Sequence, residues 1–478
     1  MRDLLCRQWH ELRLNLRPRE CFYWFVQNLI LLFFKCTIRV QLFGGEHYAP
    51  PAPSAAGACG RRASAFSASP RTSRSTAPAT LLLSGHKRDW DPLTFATTLY
   101  YQRGWWRPDG RRMAFAGRED MFTPGFLAEI VGNAGWPRWA QRLLGLTALK
   151  PIIGPLRAYP IARYPEFGIR HYLFEVKRQQ GNLPLTAVFS GEFLDRIDRW
   201  TEALAKHHRR FPARPSRELR ISDMLNWNYQ NLLQQWLRPR MVLPEQWQRF
   251  KTLQRAKVPQ QLQALAGVLA RGDTLWLAAQ GHITEDGAIG HARGGVEALL
   301  TSAPPGTRVL PANITLDFMT TGRTRVCIAV GPPLELETAS ERSRRILNGI
   351  ARQTVVTMSQ VGSRFLWNRL QAGQPTFDLK DALAVVAQDV QLLAGQAVHI
   401  ERGLLGETTR QQRLRAFLTY AVRHGILSQV SRSSYQINPA PFQQWHSVFF
   451  WLNPRYCVNE LEALEAALGE REGSKIPC

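Results

Sequence analysis

The stretch that decides the fold is Ala79–Pro92, which reads ATLLLSGHKRDWDP. Its first part, Ala79–Leu83, is a short continuous apolar run, which predicts a strand buried on both faces. Asp91 followed by Pro92 predicts the start of a helix, because Asp suits the N-cap and Pro suits the first helical position. His86 lies in the loop between them. The stretch therefore predicts a buried strand, a loop with a titratable side chain, and a helix.

Strands and helices alternate on both sides of this stretch. Short apolar or alternating runs predict further strands at 35–43, 112–116, 160–162, 274–278, 309–316 and 324–330. The predicted fold class is α/β, with a mixed sheet flanked by helices over about 35–333. Behind it, 334–478 is predicted to be a mostly helical C-terminal domain. The helix and short hairpin strand expected near its end give that domain a winged-helix-like arrangement.

Composition restricts the class of protein. The chain of 478 residues has 61 Lys and Arg against 37 Asp and Glu, a net charge of +24. Such a surplus favours an anionic partner: nucleic acid, an acidic membrane surface or a phosphorylated substrate. A mean hydropathy of −0.25 excludes a polytopic membrane protein. The 7 cysteines include no C-x-x-C pair and are predicted to be reduced, as in a protein that faces the cytosol.

The N-terminal segment 1–34 is predicted to lie at a membrane interface. Its apolar run, Cys21–Phe34, has 14 residues, fewer than the ~20 that a membrane-spanning helix needs. It lacks a small-residue cleavage site, which argues against a secretory signal. Aromatic residues beside arginines suit a helix in the plane of the interface. A buried core helix is the alternative, because apolar periodicity alone does not separate the two.

Two segments are expected to interrupt the main domain. The segment 48–78 is rich in Ala, Ser, Pro, Gly and Arg and is predicted to be a flexible, disordered loop. A second insertion, at about 166–260, is predicted to be helical, since its part 193–257 is rich in Arg, Gln, Trp and Leu.

His86 and Asp91 are the candidate catalytic pair. A histidine base needs a carboxylate to fix its tautomer and to stabilise the imidazolium that forms when it accepts a proton. Pro92 disfavours helical geometry at Asp91, so the loop could fold this carboxylate back onto His86. Taken alone, the pair also fits a plain alternative, in which Asp91 caps the helix and His86 is a hydrogen-bonded loop histidine. The rest of the chain favours the chemical interpretation.

The order of the motifs resembles the glycerolipid acyltransferase family, which includes glycerol-3-phosphate and lysophosphatidate acyltransferases. SGHKRDWD resembles the family block H-x-x-x-x-D, and the strands around it occur in the family's order. Tyr159–Arg163 resembles the second block, an apolar strand closed by Arg. LWLAAQGHITEDGAIGHARGG resembles the third block, which contains E-G-T-R-S, and VLPANITLD is similar to the fourth. The resemblance covers about 35–333.

The resemblance implies site residues, and two blocks depart from it. The serine of the family's first block is replaced here by Asp89 or Arg88, depending on the register, and the third block differs as well. Where the family has the Glu of E-G-T-R-S, this chain has Gln280, followed by Gly281. Gln280 still hydrogen-bonds a hydroxyl, whereas Ile283, in place of the family's Arg, does not pair with phosphate. The implied phosphate-binding residues are Arg163 and Arg293. In a chain with 61 basic residues, a solvated surface cation explains an isolated arginine equally well.

The resemblance implies an O-acyltransferase of phospholipid biosynthesis at the cytoplasmic face of a membrane. The donor is acyl-CoA or an acyl carrier protein thioester, and the acceptor is a lysophospholipid or glycerol phosphate. No metal or cofactor is expected. A non-catalytic lipid- or nucleic-acid-binding protein on a degenerate acyltransferase fold is the alternative. The presence of both His86 and Asp91 argues against it, and nucleic acid is not the expected partner.

Overall fold

The chain forms two compact units, residues 1–114 with 266–478 and residues 115–265. The predicted insertion at about 166–260 belongs to the second unit, and 334–478 belongs to the first. The predicted loop 48–78 lies outside the described residues except at its two ends. The computed structural model describes residues 18–48, 78–88, 90–101, 113–123, 154, 156–162, 167–207, 214–225, 229–233, 235–281, 283, 286–336, 339–396, 398–443 and 453–473.

The regular elements are numbered here in chain order. The strands are β1 Ile38–Phe43, β2 Thr80–Ser84, β3 Met113–Arg118, β4 Ala158–Ile161, β5 Thr274–Ala278, β6 Arg308–Asp317, β7 Thr324–Val330, β8 Thr376–Asp378, β9 Leu427–Gln429 and β10 Ser434–Ile437. The helices are α1 Pro18–Thr37, α2 Gly45–Tyr48, α3 Asp91–Tyr100, α4 Ile169–Gln180, α5 Gly191–His207, α6 Ile221–Met224, α7 Gln230–Leu233, α8 Pro244–Ala270, α9 Gly294–Ser302, α10 Ala339–Arg352, α11 Met358–Gln371, α12 Leu379–Ala394, α13 Arg402–Leu405, α14 Glu407–Arg423, α15 Ala440–Gln443 and α16 Pro454–Gly473.

Strands β1–β7 form a mixed sheet of seven strands flanked by helices, which confirms the predicted α/β class. In the first unit the order is β1-β7-β6-β2-β5. All neighbours there are parallel except β6 and β7. In β2, Leu81, Leu82 and Leu83 are fully buried, as expected of a strand covered on both faces. The carboxyl end of this central strand carries the loop with His86.

Most predicted strands are present with small shifts, and one prediction is wrong in part. Strands β5 and β7 have the predicted bounds, and β2 begins one residue later than predicted. The predicted strand 35–43 begins only at Ile38, because Lys35, Cys36 and Thr37 are the last residues of α1. Apolar and polar residues alternate through these three positions as they do in the strand. The pattern therefore extends the predicted strand into residues that belong to helix α1.

The long helix α1 has a buried face and an exposed apolar face. Tyr23 and Phe34 are buried, and the Gln27 amide oxygen accepts a hydrogen bond from Thr97 of α3. Four large apolar side chains of α1 are more than half exposed, namely Phe25, Leu29, Leu32 and Phe33. Their spacing places them on one stripe of the helix. No helix within the described ranges combines the length and apolar character that crossing a membrane requires.

The second unit and the C-terminal helices each have packing of their own. In the second unit, α4–α7, the start of α8 and the segments between them share an aromatic-rich core that includes Tyr172, Phe189 and Phe250. In the first unit, α11, α12 and α14 pack together beside a small antiparallel sheet of order β8-β10-β9. The helix and hairpin expected near the C-terminus are therefore present as α14 and β9–β10.

Candidate active site

His86 and Asp91 are brought together at the carboxyl end of β2. His86 Nδ1 lies 3.1 Å from Asp91 Oδ2, and the two residues are 6% and 1% exposed. An ionised carboxylate only accepts hydrogen bonds, so Nδ1 is the donor to it, and in the neutral ring Nε2 then has the lone pair. Within the described ranges, the bond to Asp91 is the one hydrogen bond of this ring. Nε2 is therefore equipped to accept a proton, and the carboxylate is placed to stabilise the resulting imidazolium.

Asp91 serves the loop and not the helix end, which corrects the capping alternative. The N-cap of α3 is Trp90, Asp91 is the first helical residue, and no side chain caps the helix. The Asp91 Oδ2 atom instead accepts hydrogen bonds from the backbone N–H groups of Lys87, at 2.6 Å, and Arg88, at 2.8 Å. One carboxylate oxygen thus accepts hydrogen bonds from the His86 ring and from two backbone N–H groups of the same loop.

Neighbouring strands fix the position of the His86 ring. The ring stands edge-on to Trp276 of β5, with centroids 5.9 Å apart and an interplanar angle of 75°. Trp276 is itself buried and also packs on Phe95 of α3. On the other side, a Cβ at Gly85 would lie 3.0 Å from the Asn313 side chain of β6. Gly85 therefore allows the chain to leave the sheet close to its neighbouring strand, and Trp276 limits the rotation of the imidazole.

The loop after β5 begins beside the loop that carries His86. Ser84 lies opposite Ala278 in parallel register, and the Ala279 N–H donates to the Ser84 carbonyl at 2.9 Å. The loop returns to its start, since the Arg293 N–H donates to the Ala279 carbonyl at 3.0 Å. Because carboxyl ends of parallel strands share one edge of a sheet, the first and third motifs lie at that same edge.

The predicted residues of the third motif are in contact with one another. Gln280 is buried, and its amide nitrogen donates to the Ala288 carbonyl at 3.5 Å. The Arg293 Nε donates to the Gln280 carbonyl at 3.1 Å. Gly281 has a φ of +71°, and a Cβ there would lie 2.8 Å from Arg293 Cγ. A side chain at Gly281 would therefore be strained and would push the Arg293 side chain away.

The two remaining residues discussed for the predicted phosphate site are Arg163 and Ile283. Arg163 lies outside the described residues. Ile283 is described and half-buried, next to positions outside the described ranges. The predicted phosphate-binding pair is thus represented in the structure by Arg293, at the N-cap of α9.

A cluster that the sequence analysis missed lies in the second unit. Glu119, His171 and Glu175 place potential ligand atoms within 4.8 Å of one another, as does no other such group in the part of the chain that the structure describes. Lys257 Nζ lies 2.8 Å from Glu119 Oε1 and 2.9 Å from Glu175 Oε2. Burial lowers the pKa of His171 against the opposing effect of the carboxylates. The Lys257 ammonium bridges both carboxylates and Arg178 also pairs with Glu175, so among the described residues this cluster is an ion-pair network.

Sequence reasoning also missed Trp276 and Lys87 as parts of the site. Trp276 belongs to a strand that was predicted with its observed bounds, but its contact with His86 depends on the register of β5 against β2. Lys87 follows His86 directly, and its ammonium group forms a buried ion pair with Glu460 of α16. No local pattern indicates this pair, because the two residues come from distant parts of the chain.

In comparisons with known proteins, no family model matches the chain, and no curated protein matches it significantly.

Proposed function

We propose that the chain is an O-acyltransferase that moves a fatty acyl group from an acyl-CoA or acyl carrier protein thioester to a hydroxyl of a glycerol-phosphate-type lipid precursor. The observation that carries the proposal is the His86–Asp91 pair, buried at the carboxyl end of the central parallel strand. The resemblance of four ordered blocks to those of glycerolipid acyltransferases gives the pair its reaction class. An acyl-thioester turnover assay over several acceptors tests the proposal.

In the proposed reaction, His86 acts as a general base. Nε2 removes the proton of the acceptor hydroxyl while its oxygen attacks the thioester carbonyl carbon. The carbon–sulfur bond then breaks, an ester forms, and the thiolate leaves with a proton returned by the imidazolium. Asp91 holds Nδ1–H and balances the positive charge on the ring while that charge exists. The acyl group passes directly from sulfur to oxygen, so the reaction needs no nucleophilic side chain.

Arg293 is the proposed contact for phosphate of the acceptor or of the thioester carrier. Its guanidinium is held by the Gln280 carbonyl at the end of β5, on the edge of the sheet where His86 also lies. A guanidinium pairs with phosphate through two parallel hydrogen bonds. Gln280, in the place of the family's Glu, hydrogen-bonds an acceptor hydroxyl without adding negative charge next to that phosphate.

We expect Arg293→Met to raise KM more than it lowers kcat. The phosphate contact exists before the chemical step, so its loss weakens ground-state binding. A hydrogen bond to a charged group is worth about 1.5–3 kcal/mol, which corresponds to a roughly tenfold to hundredfold rise in KM. Steady-state kinetics with donor and acceptor varied separately checks this. The matched control is Arg344→Met on the exposed surface of α10. Equal losses in kcat and kcat/KM would point instead to a transition-state contact.

Membrane association belongs to the same proposal, and helix α1 supports it. The stripe of Phe25, Leu29, Leu32 and Phe33 exposes apolar surface that a lipid interface would cover. At the carboxyl end of α1, the Arg323 guanidinium donates to the Lys35 backbone carbonyl, which places one basic side chain at this end of the helix. Anionic headgroups attract basic residues near the surface by roughly 1 kcal/mol each. A protein bound in this way meets a substrate with a long acyl chain at the lipid surface that holds the substrate.

We expect the double variant Phe25→Ser, Phe33→Ser to bind anionic vesicles at least about tenfold more weakly than the unmodified chain. Burial of one such side chain stabilises the bound state by about 1.5–3 kcal/mol. Cosedimentation with vesicles of mixed zwitterionic and anionic lipid measures the change. The matched control is Leu392→Ser, Leu405→Ser, which alters equally exposed side chains elsewhere. Unchanged sedimentation of the α1 variant would show that this stripe does not meet the membrane.

The alternative, a non-catalytic binding protein, has one observation in its favour. Helix α14 followed by the β9–β10 hairpin is the arrangement in which winged-helix proteins contact nucleic acid, and the net charge is +24. Nucleic-acid binding through lysine and arginine weakens steeply with salt. A titration with duplex DNA and RNA at two salt concentrations, alongside the turnover assay, separates the two functions. The alternative requires nucleic-acid affinity together with absence of acyl transfer.

A further inference from the structure

Helix α16 is joined to the loop that carries His86 by a buried ion pair. Lys87 Nζ lies 2.8 Å from Glu460 Oε1, and the two residues are 5% and 6% exposed. The ammonium group also lies 5.4 Å from the centroid of the Tyr456 ring, one helical turn before Glu460. A buried charge is retained only where a partner compensates it, so Lys87 depends on α16 for its counter-charge.

The partner carboxylate is itself fixed from both sides. Burial is the largest single influence and would lower the pKa of Lys87, but the charges and hydrogen bonds of Glu460 and Tyr456 together outweigh it and raise the pKa, so the ammonium stays charged. The second oxygen of Glu460 accepts a hydrogen bond of 3.0 Å from Gln360 Nε2 of α11. The Gln360 side-chain oxygen in turn accepts from the Thr357 N–H, at 2.9 Å, at the start of α11. Glu460 is therefore a rigid anchor for Lys87, not a mobile surface acid.

Lys87 transmits this anchor to the candidate catalytic pair. Its backbone N–H donates to Asp91 Oδ2 at 2.6 Å, the same oxygen that meets His86 Nδ1. Its side chain is tied to α16 at the other end. One residue thus connects the carboxylate that orients the imidazole to a helix of the C-terminal part of the chain.

Helix α16 also contacts the glycine-rich loop that carries Arg293. Asn459 Nδ2 donates to the Asp286 carbonyl at 2.8 Å. Gly287, with a φ of +77°, lies so close to α16 that a Cβ there would be 2.5 Å from the Tyr456 carbonyl oxygen. Both loops of the candidate site are therefore supported by the same two turns of α16.

We propose that α16 is a clamp for the candidate active site and that Glu460 is a positioning residue, acting on His86 through Lys87. The inference rests on the proposed acyltransferase function for its kinetic consequence. Without the Glu460 charge, the loop of His86 loses its anchor, and the imidazole no longer stays within the narrow range of positions that proton transfer requires.

The test compares three variants with the unmodified chain. Glu460→Gln leaves the Lys87 ammonium buried without a counter-charge, so we expect a lower melting temperature and a lower kcat. The double variant Lys87→Met, Glu460→Gln removes both charges, so we expect the melting temperature to recover. Its kcat should stay reduced by up to about 10²-fold, with KM for the thioester nearly unchanged, because an apolar side chain does not tether the loop. The matched control is Glu462→Gln on the exposed side of α16.

Hydrogen exchange gives a readout that does not depend on turnover. Amides of the peptide 85–92 should exchange faster in both Glu460 variants and at the unmodified rate in the Glu462 control. A double variant with unmodified exchange, or with unmodified kcat in an active enzyme, overturns the inference. If the unmodified chain transfers no acyl group, the proposed function fails, and the exchange rate alone then decides whether the clamp exists.

Discussion

Replacing His86 with alanine is expected to lower kcat for acyl transfer by about 10²–10⁴, the usual contribution of a positioned general base. A neutral hydroxyl is a weak nucleophile and needs a base at the moment of attack. The His86 ring is held by Asp91 on one side and packs against Trp276 on another, so the base removed by this substitution is a positioned one. Acyl-thioester affinity should remain nearly unchanged, because the ring acts in the transition state.

Rates and binding must be measured separately in this experiment. Thiol release reports kcat, and equilibrium binding of a non-transferable thioether analogue reports donor affinity. His424→Ala, which removes an exposed histidine at the end of α14, is the matched control and should behave as the unmodified chain. Equal loss of turnover in both histidine variants would show that the effect is not specific to the pair.

Replacing Asp91 with asparagine is expected to lower kcat roughly 30-fold to several-thousand-fold while leaving the loop folded. All three hydrogen bonds made to Asp91 Oδ2 come from donors, namely the His86 ring and the N–H groups of Lys87 and Arg88. The asparagine oxygen can take that position and keep all three, so only the negative charge is lost. A buried charge pair is worth about 2–5 kcal/mol, which sets the range of the expected loss.

The Asp91→Asn variant distinguishes a catalytic role of the carboxylate charge from a helix-capping role. Asp91 does not cap α3, and asparagine would cap about as well as aspartate in any case. Full activity of Asp91→Asn with an unchanged melting temperature would mean that the carboxylate charge has no part in the chemistry. A parallel fall of activity and stability would indicate that the loop, not the charge, was altered.

The strands around the site were predictable from the sequence because their continuous apolar runs match the burial of both faces in the structure. The apolar runs of β2 and β5 fit strands buried on both faces, and the loop between β2 and α3 indicated His86 and Asp91. The role of Asp91 was less predictable. An aspartate before a proline at the start of a helix fits the pattern of an N-cap. In the structure, however, its oxygen accepts hydrogen bonds from two backbone N–H groups of the loop and from the His86 ring.

The remaining parts depend on contacts that no local pattern encodes. Trp276 meets His86 because Ser84 pairs with Ala278 and not with a neighbouring residue, and a strand pattern does not specify that register. Glu460 reaches Lys87 only through the packing of α16 within the first unit, which brings together residues far apart in the chain. The cluster of Glu119, His171 and Glu175 likewise draws its residues from a short 3-10 helix and from α4, which are far apart in the chain.

The most direct test of the central claim is the stoichiometry of acyl transfer. Purified protein is incubated with acyl-CoA, or with acyl carrier protein thioester, and with vesicles that contain lysophosphatidate or with glycerol 3-phosphate. Free thiol and ester product are then quantified together. The acyltransferase account predicts thiol release that requires an acceptor hydroxyl, matches the ester one to one, and is lost in His86→Ala. Absence of acceptor-dependent release with every donor and acceptor, or equal release by His86→Ala, would contradict it.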